Sequence, residues 1–167
     1  FDPPFTHIDD TLAQFHLPAD TLVQISTVVD FAVEARFFIA RGKITGRSLY
    51  RVGGLIWSSP DWLLLHPLTD SPVAAAVLRM LEAFAAIVIR NVDAPPGWVL
   101  DVGLTRRGPL VVEANPAWSS GPYDCDPAGV AAAIAAAHDF GGLHQRWAWR
   151  PQPALAKASP LRLRAST

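Results

Sequence analysis

Apolar residues cluster in two stretches that each carry a turn signal near the centre, and both stretches are predicted to be β-hairpins. The first covers residues 33–50, with a turn at Arg41 and Gly42. The second consists of strands at residues 98–105 and 109–115 around a turn that ends at Gly108. Short segments rich in Val, Ile, Leu and aromatic residues, interrupted by Gly, are typical of paired strands.

Three further elements complete the predicted fold. Residues 22–29 (L-V-Q-I-S-T-V-V) form a β-branched run that indicates a buried strand. Helices are predicted after Ser71 and Asp126, because each of these capping residues precedes a proline. The apolar positions expected to face the core are Val73, Val77, Met80, Leu81 and Phe84 in the first helix, and Val130 and Ile134 in the second, which ends near residue 137. Residues 87–90 form either a short strand or the end of the first helix.

The pattern predicts an α+β fold in which an antiparallel sheet of hairpins packs against helices. Residues 1–21 have no period and form an irregular lead-in, residues 22–140 form the folded lobe, and residues 141–167 form a tail rich in Pro, Ala and Arg. At 167 residues, half of them hydrophobic, the chain can bury one proper core. The only methionine is Met80 and residue 1 is Phe, so we expect the chain to be part of a longer protein.

Composition excludes several classes of function. A formal net charge of −1 argues against a general nucleic-acid binder, which would carry a basic face. A single cysteine, Cys125, excludes a disulfide within the chain and fits a reducing compartment. No apolar run approaches the ~18 residues of a membrane span, and no signal peptide opens the chain. A soluble cytoplasmic protein without nucleic-acid or membrane partners is expected.

The second hairpin places two carboxylates together. If Arg106, Arg107 and Gly108 form a three-residue loop with Gly108 in the left-handed region, Thr105 faces Pro109 and Asp101 faces Glu113. Asn115 lies two residues beyond Glu113, so the three polar side chains share one face. Facing carboxylates repel unless something compensates them, and Mg²⁺ binds such oxygen ligands. The alternative is a solvated hairpin with polar residues on its outer face.

The first hairpin places two arginines together. With a loop of two or four residues, Arg36 lies opposite Arg47, while Glu34 and Arg51 share their face. A loop of three residues would turn Arg47 to the other side. Facing arginines require an anion between them, which is either a phosphate or the Glu34 carboxylate.

Taken together, these blocks resemble the ATP-grasp ligases. The features that carry the resemblance are E-x-R followed by a Gly turn, then D-V, then R-G-P-L-V-x-E-x-N. The likeness covers about residues 22–137 and is strongest to the branch of glutathione synthetase and the ribosomal-protein glutamate ligases, in which this part is the C-terminal metal-binding lobe. The resemblance implies Mg²⁺ or Mn²⁺ on Asp101, Glu113 and Asn115, and contacts from Arg36 and Arg51 to phosphates; the assignment of Arg47 rests on register alone. It also implies nucleotide binding by the predicted strand at residues 22–29 and by one residue of the first hairpin. These residues are Gln24, Ile25, Ser26, Thr27, Val28, Val29 and Glu34.

The resemblance implies an ATP-dependent carboxylate–amine or carboxylate–thiol ligase that works through an acylphosphate. Its partners would be ATP, a carboxylate and an amine or thiol acceptor, a peptide being one candidate. No covalent nucleophile is required, and Cys125 is not assigned as one. Because the chain lacks the phosphate-binding lysines of the upstream lobe, we expect the 167 residues alone to be inactive. Two alternatives are a non-catalytic nucleotide- or peptide-binding module of ATP-grasp shape and a purely structural α+β domain.

Overall fold

The computed structural model describes residues 28–57, 71–139 and 141–148. The chain divides into two compact units, Phe1–Phe31 and Ala32–Thr167, and all of the elements below belong to the second. Most of the predicted strand at residues 22–29 lies outside the described residues. Val28 and Val29 are described; both are exposed and neither belongs to a strand.

One antiparallel sheet forms the framework, with the strand order β3-β2-β1-β4-β5. The strands are β1 (Val33–Ala40), β2 (Lys43–Val52), β3 (Leu55–Ile56), β4 (Gly97–Thr105) and β5 (Gly108–Pro116). Both predicted hairpins are present, and the two central strands, β1 and β4, pair with each other although more than fifty residues separate them. The predicted α+β class is confirmed.

Helix α1 (Pro72–Asn91) covers one face of the sheet. Its N-cap is Ser71, whose side chain accepts a hydrogen bond from the backbone N–H of Ala74 (3.1 Å), and Pro72 occupies the first turn as predicted. Leu81 and Ala85 are its buried residues. They join a core cluster with side chains from the strands, including Phe37, Ile39, Leu49, Trp98, Leu100 and Val102.

The predicted stripe of α1 is partly wrong. Val73 is 73% exposed and Met80 is 41% exposed, so neither faces the core. Residues 87–90 are the end of the helix rather than a strand. The helix is also long and apolar enough to cross a membrane by length and composition, which corrects the expectation that no such run exists. Core helices of soluble proteins pass the same test, and α1 packs Leu81 and Ala85 against the sheet.

Helix α2 (Pro127–Ala137) covers the other face of the sheet over part of its area. Asp126 caps it by accepting from the Gly129 N–H (2.8 Å), as its sequence position predicts. Val130 and Ala133 pack against Phe38 and Val99 in a second, smaller core cluster. Further along the chain, the described part of the predicted tail contains a 3₁₀ helix, Gly142–Trp147, and Arg146 binds Asp93.

β-Bulges set the register of the polar residues: the first hairpin has two register shifts and the second has one. In the first hairpin the loop has two residues, Arg41 and Gly42, but a shift between Phe38 and Ile39 changes the pairs beyond it. In the second hairpin Thr105 pairs with Gly108, not with Pro109 as predicted. A bulge inserts one extra residue into a strand and so reverses the facing of residues beyond it.

Candidate functional site

A row of polar side chains crosses one face of the sheet from β2 to β5. Arg36 pairs with Ser48 on one side and with Asp101 on the other, and Asp101 pairs with Glu113. The predicted pair of Asp101 and Glu113 is therefore present. It arises from a shorter turn followed by a bulge beside Asp101, instead of from the three-residue turn that we expected.

Arg36 and Asp101 form a buried ion pair at the centre of this row. The Nε of Arg36 donates to Oδ1 of Asp101 (2.9 Å), and Nη2 donates to Oδ2 (2.7 Å). Arg36 is 6% exposed and Asp101 is fully buried. Nη1 of Arg36 donates to the carbonyl oxygen of Gly121 (3.1 Å), in the loop that follows β5. Arg36 thus joins β1 to β4 and to this loop.

Aromatic rings cover the guanidinium of Arg36. Its central carbon lies 4.7 Å from the ring centroid of Tyr123 and 5.5 Å from that of Tyr50. The two tyrosine rings stack with centroids 4.9 Å apart, and Trp57 meets Tyr123 edge-on. Cation–π contacts of this kind gain strength when the cation is desolvated. The two tyrosine rings stabilise Arg36 as a buried cation and make its guanidinium less accessible to a ligand.

Burial and pairing affect the two members of the ion pair differently. Burial raises the pKa of Asp101, an effect that outweighs the hydrogen bonds and charge of Arg36, and the charge of Glu113 adds to the rise. For Arg36, burial favours a lower pKa, but the hydrogen bonds and charge of Asp101 outweigh it and the pKa is raised. Because a guanidinium stays protonated in proteins and its bidentate geometry needs two acceptors, the pair is ionic.

Glu113 and Asn115 form the accessible end of the row. The side chain of Glu113 is 55% exposed, and its Oε1 accepts a hydrogen bond from Nδ2 of Asn115 (2.8 Å). Nη2 of Arg36 lies 3.9 Å from the same oxygen. Oxygen atoms of Glu113 and Asn115 are therefore available at the surface, with Asp101 set behind them.

The donor set fits a hard cation only in part. Within the described ranges, no three His, Cys, Asp or Glu side chains gather as a metal site. The site offers two carboxylates and one amide oxygen, and Mg²⁺ commonly uses one or two carboxylates and completes its shell with water and phosphate. We expected a cation to offset the repulsion between Asp101 and Glu113. Arg36 already neutralises the charge of Asp101 through their ion pair. Glu113 and Asn115, whose oxygen atoms lie at the surface, are the most suitable ligands for an ion.

A second ionic group lies at the start of β1. Arg51 donates to Oε1 of Glu34, and the hydroxyl of Tyr50 donates to Oε2 (2.5 Å). Glu34 is 5% exposed, and burial raises the pKa of Tyr50 above its ordinary range. Arg51 is more accessible, with its side chain 36% exposed, and its Nε has no hydrogen-bond partner in the described part of the protein. The predicted sharing of a face by Glu34 and Arg51 is confirmed.

Arg47 does not belong to this site, and its predicted position opposite Arg36 is wrong. The bulge in the first hairpin pairs Arg47 with Phe37, whose side chain belongs to the core cluster beneath α1. Arg47 binds Glu82 of that helix. The sequence could not reveal this shift, because a single extra residue within β2 reverses the facing that the loop length implies.

Sequence reasoning missed the aromatic part of the site. Tyr50 and Tyr123 lie far apart in the chain, and Tyr123 has a positive φ of 49°, which the sequence pattern does not predict. The nearest signal was the loop of small residues after Asn115, which contains Gly121. Of the expected nucleotide-binding residues, Gln24, Ile25, Ser26 and Thr27 lie outside the described residues.

Comparison with known proteins identifies the family of this chain. A model of the ATP-grasp domain, R(2)K clade family 2, matches residues 5–133, which include the whole sheet, α1 and the polar row. A search of the curated proteins and a search of the solved structures each returned no match. ATP-grasp domains generally belong to ATP-dependent ligases. Since the match covers well over half of the chain and includes the expected D-V and E-x-N blocks, the chain belongs to the ATP-grasp domains of this clade family.

Proposed function

We propose that this chain is the metal-binding lobe of an ATP-dependent ligase that joins a carboxylate to an amine or thiol through an acylphosphate. The observation that carries the proposal is the cross-strand pair of Asp101 and Glu113, with Asn115 bonded to Glu113, inside a region that matches an ATP-grasp family. The single cysteine and the requirement for ATP fit a cytoplasmic location.

Glu113 and Asn115 would hold Mg²⁺ or Mn²⁺ through side-chain oxygens, with Asp101 as a third, buried carboxylate. When bound, the ion supplies positive charge that neutralises phosphate oxygens. Asp101 keeps its position because two hydrogen bonds from Arg36 fix both of its oxygens. Arg36 is therefore proposed as a positioning residue, not as the direct phosphate contact that the resemblance implied.

Arg51 is the better candidate for contact with the transferred phosphoryl group. Its side chain is partly exposed, whereas that of Arg36 is buried and engaged by Asp101 and Gly121. Glu34 holds Arg51 in place and so supports the nucleotide site indirectly. Contact of residues 24–29 with the adenine remains part of the proposal.

The proposed reaction has two steps. A carboxylate oxygen of the substrate attacks the γ-phosphorus of ATP, the bond to the β,γ-bridging oxygen breaks, and ADP leaves. The amine or thiol then attacks the acyl carbon, loses its proton and displaces inorganic phosphate. Charge stabilisation and positioning are the main requirements of phosphoryl transfer. Cys125 does not fit a nucleophile, because it is buried and burial raises its pKa to about 12.

The metal site is tested by thermal unfolding with and without Mn²⁺. The wild-type chain should melt at a higher temperature in the presence of Mn²⁺, and Glu113→Gln should lose most of that rise because a carboxylate ligand becomes a neutral amide. Glu82→Gln is the matched control, since Glu82 lies on α1 and binds Arg47. A full response to Mn²⁺ in the Glu113→Gln variant would remove the site from β5.

The reaction is tested by ADP release from the full-length protein in the presence of Mg-ATP and a panel of carboxylates and amines. The 167 residues alone, which are expected to be inactive, are assayed for comparison. Release should require both a carboxylate and an acceptor. Arg51→Ala should weaken nucleotide binding by roughly 1.5–3 kcal/mol, the range for a hydrogen bond to a charged group, while Arg47→Ala should not. Equal effects of the two arginine variants would contradict the assignment of Arg51.

One observation favours the alternative of a non-catalytic binding module. Both oxygens of Asp101 accept hydrogen bonds from Arg36, which leaves the site with fewer accessible ligand atoms. A full-length protein of this kind would bind Mg-ATP and show the thermal shift with Mn²⁺, yet release no ADP with any carboxylate. The two experiments together separate the ligase from the module.

A further inference from the structure

The exposed side of α1 carries a regular apolar stripe. Its members are spaced three and four residues apart in alternation, and they are Val73, Ala76, Met80, Ala83 and Ile87. Val73, Met80 and Ile87 are 73%, 41% and 51% exposed, and both alanines are exposed. This spacing is that of the a and d positions of a heptad, which form the seam between two helices of a coiled coil.

A shallow apolar groove lies on the stripe near the start of α1. This groove of about 420 Å³ is lined by Pro72, Val73, Ala76, Val77 and Met80. The last four of these occupy positions i, i+3, i+4 and i+7, which is the four-residue hole that accepts one apolar side chain in knobs-into-holes packing. The positions of these residues are therefore compatible with the packing of a side chain from another helix.

The sizes of the stripe residues match a second copy of the same helix. When two copies run antiparallel with a positions facing d positions, Met80 meets Ala83 of the second copy and Ala76 meets Ile87 of the second copy. Each large side chain then faces a small one, and the exposed Ile87 enters the groove around Ala76. At the ends of the contact, Val73 lies beside the aliphatic stem of Arg90.

The charged residues of α1 are compatible with this arrangement. Glu82 lies off the stripe and binds Arg47 of β2. Arg79 flanks the seam and would face Ala86 of the second copy, so no like charges oppose each other. A membrane span is less compatible, because it would place Arg79 and Glu82 in the hydrocarbon near the helix centre, where charges are costly.

We propose that α1 is a self-association surface, through which two copies of this chain form an antiparallel helix pair centred between Met80 and Ala83. The inference is independent of the proposed ligase activity, because α1 lies on the opposite face of the sheet from the row of Arg36, Asp101 and Glu113.

The test is sedimentation equilibrium of the complete chain over a range of concentrations, with no nucleotide or metal. The wild type should show a monomer–dimer equilibrium. Met80→Glu should raise the dissociation constant by at least about tenfold, since it puts a charge at the centre of the seam. Ala75→Glu is the matched control: Ala75 is exposed on the same helix but lies off the stripe, and this variant should dimerise like the wild type. Circular dichroism confirms that each variant is folded.

The orientation is tested by disulfide cross-linking of Met80→Cys and Ala83→Cys chains. A mixture of the two should cross-link faster than either variant alone, because the antiparallel pair brings position 80 next to position 83. Faster cross-linking of each variant with itself would indicate a parallel pair and overturn the proposal. A wild type that stays monomeric at all concentrations, a Met80→Glu variant that dimerises normally, or a monomer that floats with phosphatidylcholine vesicles through this stripe would overturn it as well.

Discussion

At the scale of single residues, Arg36 shows how the fold uses a buried charge. The guanidinium is surrounded by Asp101, the carbonyl of Gly121 and two tyrosine rings, so each of its three nitrogen atoms has a hydrogen-bond partner within the protein. Removing one partner of a buried ion pair leaves the other charge uncompensated, which costs more than the net contribution of the pair itself. Arg36 and Asp101 are therefore expected to be interdependent.

This interdependence gives a prediction for stability. Arg36→Met should lower the free energy of unfolding by about 3–5 kcal/mol, because it leaves the Asp101 carboxylate buried without a cation. Combining it with Asp101→Leu should recover much of the loss. Arg41→Ala, which removes the exposed pair of Arg41 and Asp139, should have a much smaller effect, because solvent screens exposed ion pairs. Urea denaturation measures all three; similar losses from Arg36→Met and Arg41→Ala would show that the central pair is not a special contributor.

The residue scale also shows where sequence reasoning failed and why. The predicted pairing of Asp101 with Glu113 is correct and that of Arg36 with Arg47 is wrong, although both predictions count residues outward from the turn of the hairpin. In each case a bulge altered the pairing. In the second hairpin the bulge compensates for a turn one residue shorter than predicted. In the first hairpin a shift between Phe38 and Ile39 moves Arg47 away from Arg36, and a second shift between Glu34 and Ala35 brings Arg51 opposite Glu34. A bulge leaves no reliable signal in sequence, because it depends on how the strand must bend to pack.

At the scale of elements, helix α2 approaches the sheet so closely that two positions must be glycine. A Cβ on Gly129 would lie 1.8 Å from the carbonyl oxygen of Thr45, and one on Gly97 would lie 2.2 Å from that of Ala133. The hydroxyl of Thr45 in turn donates to the carbonyl oxygen of Gly129 (2.8 Å). These contacts fix α2 against β2 and β4 and so position the loop that contains Gly121.

The close approach predicts a strong effect from one methyl group. Gly129→Ala should destabilise the protein by about 1–3 kcal/mol or more, since backbone atoms must move to relieve the clash. Gly141→Ala is the control, because its Cβ would meet only the side chain of Asp139, at 3.5 Å. Thermal unfolding of both variants measures the difference. A Gly129→Ala variant as stable as Gly141→Ala would mean that α2 does not pack this closely in solution.

The N-caps of both helices can be predicted from the sequence, whereas the buried face of α1 can be predicted only in part. Ser71 and Asp126 act as N-caps because the signal is local: one side chain and the N–H of the third residue after it. The apolar stripe of α1 was misassigned because this helix is apolar on more than one side. Leu81 is buried whereas Met80 is exposed, and only the position of the sheet distinguishes them.

At the scale of the whole molecule, the sheet separates an apolar face from a face with buried ionisable groups. The face under α1 is built from Phe37, Leu100 and their neighbours. The opposite side holds Arg36, Asp101 and the buried thiol of Cys125. Burial raises the pKa of Cys125 to about 12 and raises that of Tyr50 as well.

These raised pKa values predict a loss of stability in alkali. Above pH 9 the Cys125 thiol ionises in the unfolded chain but stays protonated in the folded one, so its contribution is complete below pH 9 and decreases as the pH rises towards 12. Tyr50 adds a similar decrease that begins near pH 10. Each group contributes at most about 1.4 kcal/mol per pH unit. Urea unfolding between pH 8 and pH 11 should show the decline, and Cys125→Ala should make it shallower; an unchanged slope would argue that the thiol is accessible.

The sequence by itself determined the two hairpins, the two helices with their caps, and the chemistry of the second hairpin. These depend on local features: β-branched runs, a proline after a capping residue, and the order D-V, R-G-P-L-V, E-x-N, which identified the ATP-grasp family that the comparison confirms. Tertiary structure decided which charges meet. Arg36 was a candidate phosphate ligand until β1 paired with β4 and brought it Asp101 from 65 residues away. Long-range pairing and bulges depend on the packing of the whole sheet, and packing is a property of the assembled chain, which no single segment specifies.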